Sequence, residues 1–318
     1  MRDNPTAQAL YDVTVVGGGP AGLSAAIALG RSRRSVLVID AGRPRNAPAA
    51  GAHNVLSRDG IPPRELLALG RTEAVGYGVE IVDGEVTTAR QQDGVFEIAT
   101  ATGPSVRSRR VLLAGGLVDE LPDIPGLAER WGTTVLHCPY CHGWEVRDQM
   151  IGILATTGMS AHQALLFRQL SDKITFFTHT AGDPEPEQAE QFRALGISVV
   201  AGVVDHLDGT GSMLDGVTLT DGRTIPVDAL VVGPRFRART ELYEQLGGQP
   251  AEHPHGVLIP TDPGGRTDIG GVYAVGNASD LSASVAPAAG AGVLAGGMIN
   301  ADLIAEDTRR AVEAMREE

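Results

Sequence analysis

Asp12-Val-Thr-Val-Val-Gly-Gly-Gly-Pro-Ala-Gly22 is the stretch that decides the fold. Asp12 to Val16 reads as a short buried strand of a parallel sheet. Gly17, Gly19 and Gly22 then complete a G-x-G-x-x-G turn, and Pro20 and Ala21 lead into an alanine-rich helical stretch running to about Gly30. Ser35-Val-Leu-Val-Ile39 is a second strand, ended by Asp40. Strand, turn, helix and acid together specify a dinucleotide-binding unit. The turn brings backbone close to a pyrophosphate, the helix N-terminus faces the anion, and the carboxylate suits ribose hydroxyls. The motif alone leaves FAD and NAD both open.

The rest of the chain has room for more. Its 318 residues suffice for two domains, and 42% apolar with 20% charged residues is ordinary for a globular protein. No run of twenty apolar residues occurs, which predicts no membrane span. The first residues show no apolar run of signal type, so a cytoplasmic location is expected. The net charge is −13 with no basic run, which argues against nucleic acid or an anionic membrane as partner. Lys173 is the single lysine, leaving little room for lysine-based covalent chemistry.

The chemistry points to His137-Cys-Pro-Tyr-Cys-His-Gly-Trp-Glu145, which holds both cysteines of the chain. Two residues between Cys138 and Cys141 allow one turn that brings the sulfurs within bonding distance, and a helix starting there stabilises a thiolate. His142 follows with an imidazole able to move a proton near neutral pH. Two other readings stand beside this one. Buried cysteines are often inert, and His137 and His142 complete four zinc ligands on paper. A structural zinc site is commonly built from two separated pairs, however, and each histidine here abuts a cysteine, which suits tetrahedral chelation poorly. No metal is expected, and redox chemistry is the favoured reading.

With these residues in hand, the chain resembles the thioredoxin-reductase-like branch of flavoproteins with two dinucleotide-binding domains. The likeness rests on Val16–Ser24, on Val111-Leu-Leu-Ala-Gly-Gly116, on Cys138-Pro-Tyr-Cys141 and on Gly271-Val-Tyr-Ala-Val-Gly-Asn277. It implies an α/β protein of two Rossmann-like, three-layer domains. Residues 1–118 and 238–318 would form the FAD-binding domain, and 119–237 an inserted second domain carrying the cysteines. It also implies FAD contacts at Gly17, Gly19, Pro20, Ala21, Gly22, Asp40, Ala114, Gly115, Gly276, Asn277, Val285 and Ala286. A helix starting at Pro287 would aim its N-terminus at the flavin. The segment Arg43–Arg64, with His53 as a weak candidate, would approach the flavin and substrate face, and a homodimer is expected.

Three departures shape the functional expectation. Where the family commonly has Gly-Asp, this chain has Gly276-Asn277, whose amide still suits a ribityl hydroxyl as donor or acceptor. The second domain reads Ala155-Thr-Thr-Gly-Met-Ser160, with β-carbons in the first and third places, where the family's NADPH turn has glycine. Thr178-His-Thr-Ala-Gly-Asp183 then offers no arginine for a 2′-phosphate. Finally, His142 stands where thioredoxin reductases carry an aspartate. The Cys-Pro-Tyr-Cys-His-Gly form resembles the dithiol oxidases of holomycin, gliotoxin and romidepsin type. The expectation is an FAD-dependent dithiol oxidase that closes a disulfide in a small-molecule dithiol with O2 as acceptor, using Cys138, Cys141 and His142. The alternatives are an NAD(P)H-dependent thioredoxin reductase and a flavin-holding redox sensor with little turnover.

Overall fold

The apolar run before the glycines forms strand β1 (Leu10–Val16), in which Val13 and Val15 are fully buried. The structure is a computed structural model that describes residues 10–101, 103 and 105–318. Helix α1 (Pro20–Arg31) starts on its proline, where a missing N–H costs nothing, and β2 (Val36–Asp40) returns parallel to β1 with Val16 opposite Ile39. Helix α2 (Pro63–Gly76) and β3 (Glu80–Asp83) extend the sheet in parallel. A hairpin of β4 (Val86–Gln92) and β5 (Val95–Thr100) follows, turning at Asp93-Gly94, both at positive φ as such a two-residue turn requires. Strand β6 (Val106–Leu113) pairs antiparallel with β5 and parallel with β1, and β7 (Leu117–Glu120) leads out of this unit.

The next stretch is a second α/β unit. It contains β8 (Val135–Leu136), α3 (Pro139–His142), β9 (Ile151–Leu154), α4 (Ser160–Arg168), β10 (Ile174–Phe177), α5 (Pro186–Leu195) and β11 (Ser198–Val200). An antiparallel trio, β12 (Val204–Asp208), β13 (Gly216–Leu219) and β14 (Thr224–Pro226), precedes β15 (Ala229–Val232). The parallel sheet runs β11-β10-β9-β15-β8. Every residue of β9 and β15 is buried, because both faces are covered: Ile151, Ile153 and Val231 feed one core, Leu154, Leu230 and Val232 the other. Helix α5 begins at Pro186, the second proline of Pro184-Glu-Pro186. Glu185 is its N-cap in a capping box with Gln188, and Gly196 at φ +70° ends it.

The chain then returns to the first unit through β16 (Arg235–Ala238), α6 (Glu241–Gln245), β17 (Ala251–His253), β18 (Gly256–Leu258), β19 (Val272–Ala274) and α7 (Val285–Glu317). The first sheet is ordered β3-β2-β1-β6-β5-β4, with β19 parallel to β6. By contact, the first unit ends at Ala47, resumes over Ile61–Val118, and closes with Phe236–Glu318. The second takes Asp119–Arg235 together with a distant segment, Pro48–Gly60.

Helix α7 begins two residues before the Pro287 start expected from the resemblance and runs unbroken from its small residues into the charged end of the chain. It starts at Val285 because proline is tolerated throughout a first turn whose N–H groups have no intrahelical acceptor. A β-carbon on Gly292 would lie 2.1 Å from the Ala21 carbonyl oxygen, and one on Gly296 2.9 Å from that of Ala25, so α7 lies directly on the backbone of α1. Further along, Arg110 pairs with Asp302 and Glu306, Arg109 with Asp307, and Arg34 with Asp307, all within 2.5–2.7 Å. Among the described residues α7 is the one helix long and apolar enough to cross a membrane; its small-residue stripe is buried on α1.

Candidate active site

The glycine turn of the first unit is shaped by three different pressures. Gly17 has φ +108°, and a β-carbon there would stand 2.3 Å from the Ala114 carbonyl oxygen. A β-carbon on Gly22 would strike the Gly17 carbonyl oxygen at 2.0 Å. Around Gly19 nothing lies within 4 Å, so the turn is packed tight on both flanks and open at the middle glycine. Open space beside the N-terminus of a twelve-residue helix fits the pyrophosphate of a dinucleotide such as FAD. Gly18, which the motif leaves unspecified, also has a reason to be glycine. A side chain would press on the Asp40 carboxyl group at 2.8 Å, while the Gly18 N–H donates to Asp40 Oδ1 at 3.0 Å. Arg71 donates to Asp40 Oδ2 at 3.2 Å and to Asp83 at 2.6 Å. A carboxylate accepts about four hydrogen bonds, so Asp40 keeps capacity for ribose hydroxyls. Arg71 carried no signal in the sequence.

The other expected cofactor residues belong to the same unit. Ala114 and Gly115 follow β6, and the Ala114 N–H donates to Val16. Gly276 sits at φ +64°, where a β-carbon would meet the Ala21 side chain at 2.9 Å. Turn, β6 end and Gly276 are thus one neighbourhood. Asn277 is used in a way its sequence did not reveal: its Nδ2 donates to the carbonyls of Asp280 (3.0 Å) and Ala283 (2.9 Å), and its Oδ1 accepts from Arg45 at 3.4 Å. Aspartate has no N–H to make the first two bonds. The amide nitrogen clasps the loop before α7, which leaves the oxygen as the group for a ribityl hydroxyl. Val285 and Ala286 are the first two residues of α7, whose first-turn N–H groups have no intrahelical acceptor.

Both cysteines lie in the second unit. Cys138 caps α3, Cys141 lies within it, and the sulfurs are 2.6 Å apart. Helix α3 spans four residues, so the dipole contribution to a thiolate is smaller than a long helix would supply. Gly143 closes the turn, where a β-carbon would come within 2.4 Å of Leu170. His142 is partly buried and its Nε2 has no hydrogen-bond partner among the described residues. Burial holds its imidazole below the ordinary value of 6.5; the negative charge of Glu145 pulls upward and the charge of His53 downward. A ring kept neutral, with an unengaged nitrogen and next in the chain to Cys141, is suited to accept a thiol proton. Tyr140 and Trp144, four residues apart, are 70% and 66% exposed, and Arg147 stacks on the Trp144 ring at 4.2 Å.

His53 is not a solvated loop histidine. The Pro48–Gly60 segment closes on itself through the Gly60 N–H and the Ala52 carbonyl (2.9 Å), and it meets the cysteine motif twice. Asn54 Nδ2 donates to the Tyr140 carbonyl at 2.8 Å, and His53 Nε2 lies 3.3 Å from Glu145 Oε1. On its other side His53 Nδ1 is 3.2 Å from Asp59, which also accepts from the Asn54 N–H. The hydrogen bond from His53, then that from Asn54, hold the Asp59 carboxyl below its ordinary range. Glu145 stands inside the quoted motif, yet only a fold that brings residue 53 beside it gives it a partner.

The second unit's dinucleotide turn is closed from within. The Ser160 hydroxyl, 1% exposed, accepts from the N–H groups of Thr156 (3.2 Å) and Thr157 (3.4 Å). The Thr157 hydroxyl accepts from the Met159 N–H at 3.3 Å. The Ala181 N–H donates to the Ala155 carbonyl at 3.1 Å, folding the segment after β10 onto the end of β9. The amides that would grip a pyrophosphate are therefore already bonded.

A sequence profile of the pyridine nucleotide-disulphide oxidoreductases matches residues 11–292. The thioredoxin reductase tcpT of Claviceps purpurea is 30% identical over 314 residues, covering 93% of this chain and 95% of its own. The thioredoxin reductase sirT of Leptosphaeria maculans is 30% identical over 327 residues, covering 95% and 97%. Among solved structures, that of HlmI superposes with a TM-score of 0.91 at 40% identity over 99% of both chains. An oxidoreductase from Agrobacterium tumefaciens gives 0.88 at 37% identity, over 93% of this chain and 99% of its own.

Proposed function

The chain belongs to the pyridine nucleotide-disulphide oxidoreductase family, and on that premise we propose that it is an FAD-dependent dithiol oxidase. It closes an intramolecular disulfide in a small-molecule dithiol of natural-product type, with dioxygen as final acceptor. Family membership already makes it a flavin oxidoreductase; the direction of electron flow is our reading. One observation carries it: the turn at 155–160, where a reductase would grip NADPH, spends its amides on Ser160 and Thr157. The Cys138-Pro-Tyr-Cys-His-Gly143 form, similar to that of natural-product dithiol oxidases, supports the substrate class.

In this reading His142 takes the proton of an incoming thiol. The thiolate attacks Cys138 of the enzyme disulfide, and Cys141 leaves as thiolate. The second substrate thiol, deprotonated in turn, attacks the substrate sulfur of the mixed disulfide and releases Cys138, so the product is oxidised by two electrons and the cysteine pair reduced by two. FAD bound at the first unit would supply the two-electron acceptor for the reduced pair, with dioxygen as final acceptor and peroxide as its product. Gly17, Gly19, Gly22 and the start of α1 hold the pyrophosphate in this account. Asp40 holds the ribose, the Asn277 oxygen a ribityl hydroxyl, and Val285 and Ala286 the flavin's polar edge. Residues 1–118 with 238–318 serve as the flavin domain and 119–237 as the cysteine domain of a cytoplasmic homodimer.

An oxygen electrode tests the proposal. With dithiothreitol the protein should consume oxygen and release one peroxide per disulfide formed, whereas NADPH with a thioredoxin should give no turnover. Turnover with NADPH and none with dithiols would establish the reductase that the relatives' names describe.

A further inference from the structure

The two cysteines sit in a turn whose backbone is held from outside as well as from within. Inside it, the Cys138 carbonyl accepts from the Cys141 and His142 N–H groups, both at 3.2 Å, and the Pro139 carbonyl from the Gly143 N–H at 2.9 Å. The carbonyls of His137 and Tyr140 receive side-chain amides from distant elements instead. Gln163 Nε2, on helix α4, donates to the His137 carbonyl at 3.3 Å, and Asn54 Nδ2, on the Pro48–Gly60 segment, donates to the Tyr140 carbonyl at 2.8 Å. Each of these carbonyls belongs to the rigid peptide plane that carries a cysteine N–H. Gln163 thus holds the plane leading into Cys138, and Asn54 the plane leading into Cys141.

Satisfying a carbonyl does not require the Asn54 bond. It lies at the surface, where water would serve the Tyr140 oxygen as well. Asn54 makes it from φ +58°, a left-handed backbone that few residues other than glycine adopt and that asparagine tolerates. The Asn54 N–H donates to Asp59 Oδ1 at 2.8 Å, and Asp59 Oδ2 lies 3.2 Å from His53 Nδ1, so the residue is braced within its own loop.

We propose that Asn54 and Gln163 are positioning residues that clamp the two cysteine peptides in the geometry of the disulfide and thereby favour the closed pair over the dithiol. This inference rests on the reading of Cys138 and Cys141 as the redox pair of a dithiol oxidase. A disulfide fixes its sulfurs and the backbone that carries them, whereas two thiols are free to part. Bonds that hold both peptide planes restrict only the parted arrangements, so they raise the effective concentration of one sulfur at the other. As the S–S bond forms, both S–H bonds break and the pair gives up two electrons and two protons. The acceptor is the bound flavin in turnover and oxidised dithiothreitol in the test.

The experiment is a redox titration of the flavin-loaded protein under nitrogen, across a series of reduced-to-oxidised dithiothreitol ratios, with thiols trapped by iodoacetamide and counted by mass. Cys138 and Cys141 are the only cysteines of the chain, so the count reads the pair alone. Asn54→Gly keeps the left-handed backbone without its amide, and Gln163→Met keeps an unbranched helical side chain without its donor. Each should lower the closing constant about tenfold, which raises the midpoint potential of the pair by about 30 mV. Leu56→Ala, at the 96% exposed tip of the same loop, should leave it unmoved. An unmoved or lowered midpoint in either amide variant overturns the proposal whatever the melting temperature does, because a bond equally strong in both redox states only stabilises the fold. A shift of the same size in Leu56→Ala would assign the effect to the loop at large and overturn it too. Should a variant fail to fold, hydrogen exchange of the wild type decides: the Pro48–Gly60 amides must exchange more slowly with the pair oxidised than reduced, and equal rates refute the clamp. A wild-type pair that stays reduced at every ratio sinks the redox reading itself, and the clamp with it.

Discussion

Helix α7 offers a sharp test of the packing, because one substitution has opposite signs at two of its glycines. Gly292 and Gly297 lie five residues apart in one helix, and alanine at either gains about 0.5–1 kcal/mol of helix propensity. Around Gly297 nothing lies within 4 Å, so the gain stands alone. At Gly292 the new carbon would lie 2.1 Å from the Ala21 carbonyl oxygen, a backbone atom that no rotamer change removes. Forcing α7 away from α1 there costs about 1–3 kcal/mol as overpacking. With the backbone clash at the upper end of that range, the net loss is about 2 kcal/mol once propensity is credited. At about 2–4 °C per kcal/mol, Gly292→Ala lowers the melting temperature by roughly 4–8 °C and Gly297→Ala raises it by about 1–4 °C. Thermal unfolding followed by circular dichroism measures both. Equal melting temperatures would mean that α7 does not rest on α1, and the placement of Val285 and Ala286 at the cofactor would lose its support.

Four further outcomes follow from the site. Gly19→Ala puts a methyl group where the protein has only open space, so the fold should be kept and the flavin-to-protein ratio should collapse; retained flavin would remove the pyrophosphate from that turn. His142→Ala should slow anaerobic flavin reduction by a dithiol by about 10²–10⁴-fold with flavin still bound, and unchanged stopped-flow kinetics would exclude His142 as base. Because burial depresses the folded His142 value, the unfolded chain binds the proton more readily, so this residue weakens the fold as pH falls below 6.5. Denaturant titrations should show that slope in wild type and lose it in His142→Ala. Asn277→Asp turns two donated hydrogen bonds into carboxylate facing carbonyl, which should cost about 1–3 kcal/mol in the loop before α7; an unchanged melting temperature would contradict the clasp.

Much of this architecture is legible in the sequence because its signals are local. Ile174–Phe177 and Ala229–Val232 are apolar runs of strand length, and both are strands with those bounds. The β1–turn–α1–β2 unit is spelled out within thirty residues: Gly17 and Gly22 answer to the Ala114 and Gly17 carbonyls, and Gly19 faces open space. What the sequence hid depends on distance along the chain. The partnership of His53 with Glu145 spans more than ninety residues and has no periodicity to betray it. Gly18 reads as an unspecified position until Asp40 is folded against it. Ser160 reads as a β-carbon that obstructs a nucleotide; only its hydroxyl, turned back on two amides, shows that the turn is closed by hydrogen bonding as well as by bulk. The continuity of α7 was masked by Pro287 and by the change from small to charged residues near Asp302, which marks where the helix passes from backbone packing on α1 to ion pairs with Arg109 and Arg110.

The direction of electron flow is the centre of the account, and one anaerobic experiment addresses it. The yellow protein is mixed with excess NADPH and, separately, with excess dithiothreitol, while the flavin absorbance is followed. The account predicts a flavin that keeps its colour with NADPH, bleaches with the dithiol and recovers when air is admitted. Rapid bleaching by NADPH would contradict it, since the amides of Thr156, Thr157 and Met159 would then have to give up their bonds to Ser160 and Thr157 for the nucleotide.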